Sequence, residues 1–161
     1  MQLPMFNTPS DWRAPALRDL PSLNRAKRIG LDVETCDPQL KQLGPGALRP
    51  GSFLAGVSIA LEDGPSYYLP LAHAGGDNME DPAKALEWLR HELGQYTGIV
   101  VGANITYDLN FLAANGVHLA HAHRIRDVQV ADPLIYELHR SYSLQAIAER
   151  HGLPGKDETL L

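Results

Sequence analysis

The sequence predicts an α/β architecture on a mixed sheet, and three observations carry that prediction. The run Arg28-Ile-Gly-Leu-Asp-Val-Glu34 alternates with the period of a strand. Two further short apolar runs, 53–61 and 65–71, flank the turn signal Glu62-Asp63-Gly64 and read as an antiparallel pair. Helical and strand patterns then follow one another, which calls for a strand returning parallel to the meander.

Taken in order, residues 1–24 hold Pro4, Pro9, Pro15 and Pro21 without periodicity and read as an irregular lead-in, anchored by Trp12; the domain is expected over residues 25–161. In the first strand Ile29, Leu31 and Val33 fall on one face, and Gly30, Asp32 and Glu34 on the other. Lys41 to Gly51, with Gly44-Pro45-Gly46 and Pro50-Gly51, reads as a loop, and so does Gly75-Gly76-Asp77-Asn78. Asp81-Pro82 is an N-cap followed by proline at the first helical position, opening a helix with Leu86, Leu89 and Leu93 on one stripe. Gly98 to Val101 is a short buried strand, and Thr106 to Asn115 a helix ending at Gly116. A further helix is expected over Asp127 to His139, with Pro133 tolerated only near its first turn, and a last one over Ser143 to His151, capped by Ser143 and closed by Gly152. This order of elements suits a ribonuclease H-like fold.

With 161 residues, 44% hydrophobic and 20% charged, one cored domain is the expectation. Cys36 is alone and has no internal disulfide partner, which points to a reducing, cytoplasmic setting. No run approaches the roughly 18–20 apolar residues of a membrane span. A net charge of −5 argues against a chain that coats nucleic acid electrostatically. It leaves room for one that holds cations with carboxylates, because bound metal inverts the local electrostatics.

Residues two apart on a strand stand about 6.5–7 Å apart along one face, so the carboxylates of Asp32 and Glu34 reach toward one another. Hard divalent cations such as Mg²⁺ or Mn²⁺ relieve the repulsion of such a pair. Asp-x-Glu alone is common by chance; its place at the end of an apolar strand, where paired acids bring no packing benefit, gives it weight. Asp108 falls in the early turn of a helix, where an acid also complements the helix dipole. Asn104 precedes it by four residues at a strand-to-helix junction, the kind of edge a substrate can reach.

Leu31-Asp-Val-Glu-Thr35 resembles the first motif of the DEDD superfamily of exonucleases. Asn104-Ile-Thr-Tyr-Asp108 resembles the second, in the version found in proofreading domains of family A DNA polymerases. Asp127 and Tyr142-Ser-Leu-Gln-Ala-Ile-Ala148 are similar to that family's following helix and "YSL" helix, and the Gly-Pro-Gly loop is similar to phage polymerases. The resemblance runs from Arg28 to Asp157. It implies that Asp32, Glu34 and Asp108 hold two divalent ions for 3′-to-5′ hydrolysis of single-stranded or mismatched DNA ends to nucleoside 5′-monophosphates. It also implies that Thr35 and Asn104 contact the strand end, with Tyr107 and Phe111 packing in the core.

The family's third motif, Tyr-x₃-Asp or His-x₄-Asp, supplies a fourth carboxylate and a water-positioning group. Tyr136 leads to Arg140, Tyr142 to Ala146, His139 to Leu144 and His151 to Lys156, so neither spacing is met. The expectation is a chain that stops before that motif, with little activity alone and a C-terminal polymerase region or second chain as partner. Two other classes fit the residues: a non-catalytic nucleic-acid-binding or scaffold module on the same fold, and a metal-independent interaction domain. His118, His121 and His123 lack a zinc framework and read as loop residues. Trp88 reads as helix packing and Glu149, Arg150, Lys156 and Asp157 as solvated charges, while Arg124, Arg126 and Arg140 are candidates to line a DNA path.

Overall fold

The computed structural model describes residues 12–74 and 77–154; Pro4, Pro9, Gly75, Gly76, Lys156 and Asp157 lie outside that range. A five-stranded sheet forms the frame: β1 (Arg28–Cys36), β2 (Phe53–Leu61), β3 (Ser66–Pro70), β4 (Ile99–Gly102) and β5 (Arg124–Asp127). Their order is β3-β2-β1-β4-β5. β1, β2 and β3 form the antiparallel meander, and β4 and β5 join it in parallel. The mixed sheet is therefore as expected, with one more parallel strand than the sequence reading held.

That extra strand is the main correction to the element list. Arg-Ile-Arg-Asp carries one apolar side chain in four residues, too little for a hydrophobic pattern, and becomes a strand by pairing Ile125 with Val100 and Asp127 with Gly102. The expected helix over 127–139 is correspondingly shorter. α4 (Val128–Ile135) starts on an Asp127 N-cap whose side chain accepts from the amide of Gln129. It holds Pro133 inside, where no N–H is available for the Gln129 carbonyl, and ends at Ile135. Asp132 before it is buried in an ion pair with Arg150 of α5 (Leu144–Arg150), so Arg150 ties the last two helices together where a solvated charge was expected. Val130, Leu134, Ile135 and Leu138, expected as an apolar helical stripe, are exposed.

The remaining helices follow local rules. α2 (Pro82–Gln95) has the Asp81 cap, accepting from the Lys84 amide at 3.0 Å, with proline at its start. Its buried stripe is Ala85, Leu89 and Leu93, with Leu86 and Trp88 packed at the margin. α3 (Ile105–Ala114) ends one residue before Gly116, whose φ of +73° only glycine adopts without strain. Inside the expected loop after β1, one helical turn forms, α1 (Leu40–Leu43). Asp37 organises that loop, accepting from the Gly46 amide at 2.9 Å and pairing with Arg49 at 3.0 Å.

One face of the sheet meets α2 and α3 across the core: Ile29, Leu31, Val33, Val57, Ile59, Leu69 and Val100 against Leu89, Leu93, Phe111 and Leu112. The opposite face carries Gly30, Asp32, Glu34, Gly56, Ser58 and Ala60 and has no helix of the core cluster over it. The described part of the lead-in is irregular apart from two single 3₁₀ turns, yet it adds Leu23 to the core at 0% exposure. The Leu23 amide donates to Glu92 Oε2 of α2 at 2.7 Å. Leu23→Ala is expected to lower stability by about 2–5 kcal/mol in urea unfolding, the cost of a core cavity; an unchanged midpoint would place this segment outside the cooperative unit.

Candidate active site

β1 delivers the first acids by its pleat. Ile29, Leu31 and Val33 are buried while Asp32 and Glu34 are exposed on the other face, as the alternation requires. Pairing with β2 places Ser58 beside Asp32 and Gly56 beside Glu34, and the register shifts between Glu34 and Thr35. Such an irregularity bends the strand locally and re-aims the side chains around it, while pairing continues through Thr35 and Cys36.

Asp108 arrives from the other side of the strand. β4 stays in register with β1 only from Arg28 to Gly30, so β1 continues without a parallel neighbour beyond that point. The Val33 amide then donates to Asp108 Oδ1 at 2.9 Å, and the carboxylate occupies the ladder position β4 has vacated. Asp108 is 4% exposed. Burial pushes its pKa from 3.8 up to about 6; the Val33 hydrogen bond opposes that shift, and the charges of Asp32 and Asp127 add to it. Asp32 and Asp108, from two separate motifs, are thus within electrostatic reach of one another.

The turn that sets Asp108 is held by a residue that spacing did not single out. Asn104 has a left-handed backbone, φ 54° and ψ 40°, and its side chain makes no cap bond. Asp127, at the end of β5, accepts instead from the amides of Asn104 at 3.1 Å, Ile105 at 3.0 Å and Gln129 at 2.8 Å. One carboxylate thereby caps α3 and α4 together. The sequence marked it as an acid ahead of an apolar run and, by resemblance, as part of the family's following helix, but not as a cap of α3.

Thr35 and Asn104, expected at the strand end, flank the acids: the Thr35 hydroxyl shares a hydrogen bond with Tyr107 Oη at 2.7 Å, and Asn104 is exposed. Phe111 is fully buried, and Tyr107 packs against it with ring centroids 5.0 Å apart. A cleft of about 590 Å³ is lined by Asp32, with Gly30, Ser58 and Ala60 beside it and Trp12, Tyr68, Val128 and Leu144 around it; Glu34 and Asp108 are not part of its lining. Among the described residues no three His, Cys, Asp or Glu side chains stand grouped to hold one ion. The donors themselves suit a hard divalent cation: carboxylate oxygens, one of them desolvated and repelled by its neighbour.

The sequence is 54% identical, over 164 aligned residues and all of this chain, to a DNA-directed DNA polymerase of Pseudomonas phage M6, and spans 24% of that protein's length. No family model matches. Among solved structures, Brucella melitensis NrnC with bound Mg²⁺ superposes with a TM-score of 0.58 at 19% identity, over 87% of this chain and 61% of that one. The POL domain of Pol1 from M. smegmatis, in complex with DNA primer-template and dNTP, gives 0.55 at 19% identity over 86% and 21%. The RNase domain of yeast Pop2 gives 0.51 at 14% identity over 80% and 68%. At these identities the structural likeness carries the fold, which is ribonuclease H-like.

Two outcomes follow from the site geometry. A carboxyl whose folded pKa lies above its unfolded value binds its proton more tightly in the native state. Its contribution is complete below about 3.8 and lost as pH rises through about 6, leaving a cost of at most about 3 kcal/mol at neutral pH. Asp108→Asn, which keeps an oxygen for Val33, is expected to flatten that pH dependence and to stabilise the metal-free chain at pH 8; thermal melts at pH 5 and pH 8 read both. Asp127→Ala strips three amides of their acceptor and should cost about 1–3 kcal/mol, with hydrogen exchange accelerating at the starts of α3 and α4.

Proposed function

We propose that this chain, a homologue of part of a phage DNA-directed DNA polymerase with the fold of DEDD-type nuclease domains, is a 3′-to-5′ exonuclease domain that proofreads single-stranded or mismatched DNA ends. The observation that carries the reading is the meeting of Asp32 from β1 with the desolvated Asp108 from α3. Two acids held in mutual repulsion have no packing rationale, and a cation between them removes the conflict.

Asp32, Glu34 and Asp108 would hold divalent ions, Mg²⁺ or Mn²⁺. When bound, such ions polarise the phosphodiester, lower the pKa of a bound water and stabilise the leaving oxygen. The chain's own part is to fix these carboxylates: β1 through its pleat, α3 through the Val33 amide, and Asp127 through the cap that sets the helix start. Thr35 and Asn104 flank the acids, where a strand end would lie. A single unpaired end would enter the cleft over the small-residue floor more readily than a stacked duplex end, which would favour mismatched termini.

A non-catalytic nucleic-acid-binding module on the same fold is the second reading. Titration calorimetry with Mn²⁺, combined with product analysis on single-stranded DNA, separates the two. The nuclease reading expects saturable Mn²⁺ uptake weakened at least about tenfold in Asp32→Ala and Asp108→Ala, with 5′-mononucleotides as the metal-dependent product. Uptake indifferent to both substitutions would overturn it.

A further inference from the structure

The register of the meander brings a tyrosine of β3 into the row of the first motif acid. Tyr68 pairs across to Ser58, which pairs across to Asp32, so the three share one row on the open face of the sheet. From that row the Tyr68 ring leans over Gly56, the β2 partner of Glu34; any Cβ at Gly56 would collide with the phenol oxygen. The glycine is thus what lets the hydroxyl lie beside the Glu34 position. The carboxylates of Glu34 and Asp32 both act on that hydroxyl electrostatically.

A second residue fixes it there. His73 Nε2 shares a short hydrogen bond with the Tyr68 hydroxyl, with the rings edge to face at 5.8 Å. The His73 backbone is clamped in turn by Asn78, which accepts from the His73 amide at 2.8 Å and donates to its carbonyl at 3.0 Å. A half-buried phenol with a dedicated imidazole partner, placed on the same cleft as Asp32, is a preorganised polar group rather than a filler of apolar space. On packing alone, a phenylalanine with no histidine behind it would serve.

We propose that Tyr68, positioned by His73, is a substrate-contacting residue of this site, donating its O–H to a phosphate oxygen of a nucleotide held at Asp32, Glu34 and Asp108. The proposal rests on the nuclease reading above and deepens it by naming a phosphate contact that no motif spacing supplies. In this arrangement His73, as the Nε2–H tautomer, donates to the phenol oxygen and keeps it turned toward the acids, leaving the Tyr68 O–H for the ligand. Neither residue changes its covalent state.

The test uses the 161-residue chain, with thymidine 5′-monophosphate and Mn²⁺ as probes, and measures both affinities by titration calorimetry for wild type, Tyr68→Phe, His73→Ala and Asp108→Asn. The expected result is nucleotide affinity lowered at least about tenfold in Tyr68→Phe, and lowered in His73→Ala, while Mn²⁺ affinity and melting temperature stay at wild type in Tyr68→Phe. A purely structural role for the phenol would move the melting temperature or the Mn²⁺ affinity and leave no selective loss. Metal-dependent nucleotide binding that Asp108→Asn abolishes and Tyr68→Phe leaves intact overturns the proposal and keeps the nuclease reading. No metal-dependent nucleotide binding in the wild type overturns both.

Discussion

The bond from the Val33 amide to the Asp108 carboxylate is the interaction on which the site depends. β1 is a central strand for three residues of parallel pairing and an edge on that side thereafter. A buried edge amide needs an acceptor, and the chain supplies a charged one from a helix. The same bond therefore does two jobs: it completes the ladder of β1 and fixes where α3 presents its acid. A neutral acceptor would satisfy the first requirement alone. A carboxylate in that place, kept at 4% exposure and in the field of Asp32, is what marks this strand edge as a candidate site.

Around that bond the two faces of the sheet divide the labour. The inner face is filled by branched and aromatic side chains against α2 and α3, and it makes β1 rigid. On the outer face glycine, serine and alanine at positions 30, 56, 58 and 60 leave the backbone open, and the larger groups there are polar or lie at the rim. Small residues on a strand cost stability through weaker packing. At Gly56 the small residue is what lets the phenol of Tyr68 approach the sheet closely.

How much of this was legible follows from the range of the forces involved. The first two strands, the Asp81 cap, the Gly116 terminus and the Ser143 cap are local effects, and the sequence states them within a residue or two. β5 was not legible, because its four residues become a strand through pairing with β4 and carry little pattern of their own. The ion pair that buries Asp132 of α4 was not legible either, because its partner Arg150 lies eighteen residues away. Asp32, Glu34 and Asp108 could be named as a set by resemblance, but their relation through Val33 could not, since it joins one backbone amide to a side chain distant in sequence.

Asp127 shows why motif spacing reaches a limit at such sites. Along the chain it is an acid ahead of a helix, with one local amide to cap. In three dimensions it ends β5 beside Gly102, so its second oxygen faces the junction where β4 turns into α3. The parallel pairing of β4 with β5 brings the starts of two helices to one sheet edge, and their unsatisfied amides converge on a single carboxylate. The left-handed turn at Asn104 is then held from outside its own segment, and the position of Asp108 follows from a strand the sequence hardly announces. Tyr68 is the same case from the meander side: the order of residues separates it from every acid in the motifs, and the register of three antiparallel strands returns it to their row.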